Sequence, residues 1–203
     1  MVWGFSTLSD VDRHPTPLGL TQVHGCSIVE ALKDGQYADG IWTKVAGLPI
    51  GVRSADCVPI LLAGLVQNQP WVAAVHAGWK GATAGILRRI VAVFTNLGGN
   101  PNDLTWALGP AILKCHFEVG EEVIAAAKQD AAWFDELVVP GPKKGKFHLD
   151  LHGLLRAQAV DLGLDLARDG SIALCTYCHP KLLSSYRRDS QCERQWSWIE
   201  IIK

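Results

Sequence analysis

Apolar positions recur along the chain in two periods. Short runs rich in β-branched residues occur at Ile50-Gly51-Val52-Arg53, Cys57 to Leu65, Trp71 to His76, Thr105 to Leu108 and Ile172 to Cys175, each bounded by Gly, Pro, Asn or Asp. They predict strands, several of them buried on both faces, because a continuous apolar run offers no polar side to solvent. Helical spacing is clearest from Ala82 to Leu97, where Ile86, Leu87, Ile90, Val91, Phe94 and Leu97 share one side and Gly98-Gly99 marks the stop. Glu121 to Asp130 and Leu151 to Leu162 predict two further helices, and the run from Trp196 to Ile202 predicts a terminal strand. Strands and helices mixed along one chain predict an α+β (mixed α/β) layered fold. The loop from Pro140 to Lys146 is the one candidate boundary, and without a repeat or linker residues 1–203 read as a single domain.

Composition narrows this reading. The chain has 203 residues, 48% hydrophobic and 19% charged, so about 70% of its unfolded surface can be buried without help from disulfides or a structural metal. Nineteen Lys and Arg against 20 Asp and Glu give a net charge of -1 with no basic block, which argues against an electrostatic hold on nucleic acid. No basic, apolar leader precedes Pro15 and Pro17, and no run of 18 apolar residues occurs, so neither export nor membrane insertion is expected. A cytoplasmic location follows as the expectation. Six cysteines in a reducing compartment then serve as core filler, metal ligands or nucleophiles.

Three segments place a reactive side chain at the edge of an apolar strand beside small residues: Gln22-Val23-His24-Gly25, Ala55-Asp56-Cys57-Val58-Pro59 and His76-Ala77-Gly78-Trp79-Lys80-Gly81. Two imidazoles and one thiol suit Zn²⁺, and three protein ligands with a fourth position open is the pattern of a catalytic zinc. Spacings of 33 and 19 residues form no local motif, so the meeting of His24, Cys57 and His76 is a tertiary expectation. The rival reading makes Cys57 a thiolate nucleophile with His76 or His24 as its base, a metal-free amide or ester hydrolase.

The turn Gly78-Trp79-Lys80-Gly81 feeding a helix near Ala82, together with Arg187 and Arg188, offers anion binding, with Asp189 placed to orient one guanidinium. Trp79 suits aromatic stacking on a ligand as well as core packing. Asp56 is expected on the strand face opposite Cys57 unless the chain bends, in which case it is a candidate proton carrier. Cys175-Thr176-Tyr177-Cys178-His179 spells a c-type haem attachment, but such proteins are exported and the only methionine is Met1. With no second pair in sequence, Cys175 and Cys178 read as core or pocket rim, and Cys115-His116 as peripheral.

Those motifs, with Gly109-Pro110-Ala111-Ile112, Glu118-Val119-Gly120 and Tyr186-Arg187-Arg188-Asp189 following in order, resemble the family first called multicopper polyphenol oxidase or laccase domain proteins, also termed the peptidoglycan editing factor family. The resemblance implies a four-layer α/β/β/α sandwich with zinc on His24, Cys57 and His76. It implies purine nucleoside phosphorylase activity on adenosine, inosine, guanosine or methylthioadenosine with phosphate, adenosine deamination beside it, and a monomer or small homo-oligomer. It also admits a binding role in quality control of peptidoglycan precursors. Phosphorolysis needs support for a departing purine anion and an attacking phosphate. Laccase chemistry fits poorly, since the seven histidines include no His-x-His, so copper is expected only as an adventitious occupant. Two departures from the family pattern are a short stretch between Thr7 and Gln22 and the ending Ser190-Gln191-Cys192-Glu193-Arg194.

Overall fold

The computed structural model describes residues 1–8, 16–128 and 134–203. In chain order its strands are β1 (Val2–Phe5), β2 (Leu20–Thr21), β3 (Ile28–Glu30), β4 (Gln36–Tyr37), β5 (Gly40–Thr43), β6 (Ile50–Ser54), β7 (Val58–Val66), β8 (Gln69–Ala77), β9 (Thr105–Leu108), β10 (Glu118–Gly120), β11 (Val138–Pro140), β12 (Lys146–Leu149) and β13 (Gln195–Glu200). Its α-helices are α1 (Trp79–Thr83), α2 (Ile86–Asn96), α3 (Glu121–Lys128), α4 (Phe134–Leu137) and α5 (Leu151–Asp161). The expected α+β content is present. Most of the expected strands appear within a residue or two of their predicted ends. The predicted helix over 121–130 runs through Lys128, and its last two positions lie outside the described residues. No helix among the described residues is long and apolar enough to cross a membrane.

The centre is a five-stranded sheet in the order β3-β5-β8-β7-β9. Along β7, Val58, Ile60 and Leu62 face one core while Leu61 and Ala63 face another. β8 has the opposite parity, with Trp71, Ala73 and Val75 in the first core and Val72 and Ala74 in the second. The antiparallel register, with Ile60 opposite Val75 and Leu61 opposite Ala74, matches these faces pair by pair. Burying each such Val, Leu or Ile contributes roughly 1.5–3 kcal/mol, more than the ~1 kcal/mol span of strand propensity, so the two cores fix the register.

The first core packs under α1, α2, α3 and α5, with Phe94 and Leu87 of α2 wholly buried. The second lies between the large sheet and a small antiparallel sheet in the order β1-β13-β6. The small sheet turns Ile50, Val52, Ser197 and Ile199 inward, whereas its outer face carries Trp196 and Trp198, with the Arg53 guanidinium 5.4 Å from the Trp196 ring. Helices, large sheet and small sheet thus enclose the two cores, and the described residues also form a three-stranded sheet in the order β10-β12-β11 and a two-stranded sheet of β2 and β4. The predicted exposed loop from Pro140 to Lys146 is the turn joining β11 to β12 within one sheet, closed by the Gly141 N–H donating to the Lys146 carbonyl.

Two expectations are corrected. Ile172 to Cys175 forms no strand: Ile172 donates to the Leu108 carbonyl and Ala111 to that of Leu174, but only an isolated Ala111–Cys175 bridge results. The neighbouring segment contains Pro110, which has no N–H for a continuous ladder. The helix read from Ala82 instead begins at Trp79 and breaks after Thr83, because Gly85 takes a left-handed φ of 78° before α2 starts. Its stop is as expected, with Gly98 at φ 96° and Gly99 donating to the Phe94 carbonyl.

Two outcomes follow from this packing. Gly81 lies inside α1, where alanine would gain about 1 kcal/mol of helix propensity, yet a Cβ there would sit 2.6 Å from the Gly25 carbonyl oxygen. Overpacking at a cost of about 1–3 kcal/mol wins, so Gly81→Ala lowers the thermal midpoint, as calorimetry checks. His152, on α5, is buried, its Nε2 has no hydrogen-bond partner among the described residues, and burial holds its pKa below the ordinary imidazole value. The unfolded chain therefore takes up this proton first, and the group's contribution is lost as pH falls below about 6.5. His152→Gln shows a smaller drop in thermal midpoint than the parent between about pH 7.5 and about pH 5.5.

Candidate functional site

Each predicted metal donor sits where a strand gives way to a bend. β6 ends at Ser54, the chain bends through Ala55, Asp56 and Cys57, and β7 resumes at Val58. Cys57 is thereby placed next to the end of β8, where His76 pairs opposite Pro59. His76 has the β8 parity that faces the small sheet, so it emerges between the two sheets. His24 lies in the bend between β2 and β3, which Gln22 pins to β6 by donating to the Arg53 carbonyl (2.7 Å) and accepting from the Arg53 N–H (2.8 Å). His24, Cys57 and His76 each offer a donor atom, all within 4.8 Å of one another. The imidazoles stand edge to face with centroids 4.8 Å apart. Gly78 completes the space, since a Cβ there would lie 3.1 Å from the Cys57 Sγ and 3.7 Å from the His24 ring. A soft thiolate, two imidazoles and room kept by glycine fit a divalent ion of the zinc class.

One organising residue was not read from the sequence. Asp39, fully buried just before β5, accepts from the His24 N–H (2.9 Å) and the His76 Nδ1–H (2.9 Å) on Oδ1, and from the Gly25 N–H (2.7 Å) on Oδ2. Those bonds hold His24 in a left-handed conformation, φ 58°, and leave Nε2 as the free donor atom of His76, the arrangement in which a carboxylate orients a ligating histidine. Burial opposes charge here, but the His76 and backbone hydrogen bonds outweigh it and keep the Asp39 carboxyl below its ordinary pKa. Burial likewise raises the Cys57 thiol, yet hydrogen bonds and charge from His24 and His76 bring it down to about 7. His76 moves up to about 9: burial alone would lower it, and the bonds to Asp39 and Cys57 reverse that. Without a metal the pair favours thiolate and imidazolium.

The donors open into a cavity of about 620 Å³, which Arg53, Asp56, Phe117, Tyr186, Arg187 and Arg194 also line. Asp56 reaches it because the strand ends, as the exception to alternation required; its φ is 88°. Its carboxylate accepts from the Thr176 hydroxyl (2.6 Å) and the Arg187 N–H (2.7 Å). Arg187 faces the cavity while donating to the His116 and Glu118 carbonyls. Arg188 points elsewhere, donating to the carbonyls of Thr176, Tyr177 and Leu183. Among the described residues no ion pair joins Asp189 to either arginine; its carboxylate accepts from the Gln191 N–H. The expected anion-binding turn is also different. Trp79, Lys80 and Gly81 form the first turn of α1 outside the cavity lining, with the Lys80 ammonium 5.7 Å from the Trp79 ring and Gly81 against Gly25.

A second Cys/His group is present. Cys115, His116, Cys175 and Cys178 also bring their donor atoms within 4.8 Å of one another. The pair that the sequence left without a mate thus finds one 60 residues upstream, a meeting that only the tertiary fold creates.

Comparison with known proteins agrees with this architecture. Adenosine deaminase RL5, from an unknown prokaryotic organism, is 36% identical over 160 residues, which cover 78% of this chain and 59% of RL5. Purine nucleoside phosphorylase of Deinococcus radiodurans is 37% identical over 185 residues, 90% of this chain and 69% of that one. The chain therefore spans about three fifths to two thirds of the length of these relatives. The crystal structure of Bacillus licheniformis hypothetical protein YfiH superposes with a TM-score of 0.85 at 27% identity, covering 96% of this chain and 78% of that structure. Residues 7–202 match the family described as multi-copper polyphenol oxidoreductase laccase, and the chain belongs to that family.

Proposed function

We propose that this protein is a zinc-dependent purine nucleoside phosphorylase with adenosine deamination as a parallel activity. The observation that carries the reading is the convergence of His24, Cys57 and His76 at the edge of a cavity roomy enough for a nucleoside. The relatives' names, a phosphorylase and an adenosine deaminase, support the same two reactions. His24, Cys57 and His76 would hold the zinc ion, which would supply Lewis acidity to the reacting groups. The Cys57 thiol, already near pKa 7, loses its proton readily to become a ligand. Asp39 keeps the His76 proton on Nδ1, so that Nε2 faces the donor cluster.

Phosphorolysis joins a phosphate oxygen to C1′ as the bond from C1′ to the purine nitrogen breaks, and the purine leaves with the bonding pair. Arg187, with two of its five N–H donors used on carbonyls, retains donors for the phosphate. Arg53 and Arg194 add positive charge to the same cavity. Asp56 lies on that wall and serves as the acid–base partner for the purine or for water in deamination. Arg188 supports this function indirectly, by fixing the backbone behind Asp56 and Arg187. Phe117 and Tyr186 offer faces for the base. A metal-free reading retains one specific support, the thiolate–imidazolium tendency of Cys57 and His76 backed by Asp39, as in a Cys-His-Asp hydrolase. Metal content separates the two.

Metal-quantified protein incubated with adenosine and phosphate yields adenine with ribose 1-phosphate, and inosine, each read by chromatography. Cys57→Ala lowers all three products at least about 100-fold and removes the zinc of this site, with circular dichroism unchanged. Undiminished turnover by Cys57→Ala overturns the reading, and metal-free parent protein that hydrolyses an ester and is inactivated by one alkylation at Cys57 favours the hydrolase. Asp39→Asn replaces one acceptor oxygen with a donor facing backbone N–H groups. It weakens zinc binding at this centre about 10–100-fold, as competition with a chromophoric chelator measures.

A further inference from the structure

Outside the cavity, the densest set of metal-ligating side chains among the described residues is the Cys115, His116, Cys175 and Cys178 group. Cys115 Sγ lies 3.6 Å from Cys175 Sγ and 3.7 Å from Cys178 Sγ, and His116 Nδ1 lies 3.3 Å from the sulfurs of both Cys115 and Cys178. A tetrahedral zinc with ordinary bond lengths requires sulfurs about 3.8 Å apart and a nitrogen about 3.5 Å from each sulfur. These four distances are within a few tenths of an ångström of that shape, and all four donor atoms lie within 4.8 Å of one another. The His116 ring is held by stacking on Tyr177, with centroids 4.2 Å apart at 22°. The two halves of the cluster are brought together by the Thr176 N–H donating to the Ala111 carbonyl and by the isolated Ala111–Cys175 bridge.

We propose that these four residues form a second metal site that takes one zinc ion. Three thiols lose their protons to solvent as the ion binds, giving a closed Cys₃His sphere with no open position, hence a structural site. A disulfide accounts for the cluster less well, because it would pair two sulfurs and leave the third, and the imidazole, without a role. The site draws on no residue of either apolar core. It clamps two irregular segments whose carbonyls, at His116, Thr176 and Tyr177, receive the guanidinium groups of Arg187 and Arg188. The zinc therefore positions one wall of the cavity from behind, touching no substrate.

The test uses full-length protein purified under reducing conditions with zinc present, and elemental analysis of metal per chain. The parent carries two zinc ions, Cys57→Ala carries one, and Cys178→Ser carries one and loses protection of Cys115 and Cys175 against alkylation. Cobalt loaded into Cys57→Ala gives the intense charge-transfer absorption of a three-thiolate site, a readout that stands if Cys178→Ser fails to fold. Parent protein with one ion, absent from Cys57→Ala, overturns this site and leaves the catalytic reading intact. A mass two hydrogens lower, mapped to a bridge among Cys115, Cys175 and Cys178 in protein purified with zinc and reductant, also overturns it. One ion kept by Cys57→Ala but lost from Cys178→Ser supports this site and sinks the catalytic centre instead.

Discussion

The site rests on one buried carboxylate. Asp39 is fully enclosed, and a charge so placed must be met by hydrogen bonds or it destabilises the fold by several kcal/mol. Its partners are the His24 and Gly25 amides and the His76 imidazole. A hydrogen bond to a charged group contributes about 1.5–3 kcal/mol, so the two amide bonds outweigh the ~1–3 kcal/mol cost of the left-handed His24. Satisfying the carboxylate thus shapes the very loop and ring that present donors to the cavity. The folding requirement and the functional geometry have the same solution.

Much of the fold is legible because its strands are unbroken apolar runs. β7 and β8 bury side chains on both faces, and nothing else in the sequence resembles them in length and apolarity. β5 is harder to read: Gly40-Ile41-Trp42-Thr43 is four residues long, and its place beside β8 comes from tertiary pairing. Ile172 to Cys175 misleads in the opposite sense, with strand-like composition beside a proline that cannot continue a ladder. Gly85 divides a helical pattern whose apolar spacing reads as continuous from Ala82, because spacing carries no information about φ.

The site was legible in its donors and hidden in its supports. His24, Cys57 and His76 stand out as reactive side chains next to small residues, whereas Asp39 in Tyr37-Ala38-Asp39-Gly40 looks like an ordinary turn. The adjacent Arg187 and Arg188 were indistinguishable by type, yet one faces the cavity and the other is spent on three carbonyls behind it. Cys115-His116 and the Cys175–Cys178 pair gave no signal of meeting, since the contact depends on how the chain returns past β9. Side-chain chemistry is written locally; second-layer contacts depend on the whole path.

The alternating faces of β7 and β8 carry one last consequence. Because His76 shares the parity of Val72 and Ala74, sliding β8 by a single step against its neighbours would swing the imidazole under the helices and present Val75 or Ala77 to Asp39 and Cys57. A mispaired sheet would lose the donor cluster as well as its two cores. Correct assembly of the chemistry is in this way a checksum on correct strand pairing, written into the odd and even positions of one nine-residue strand.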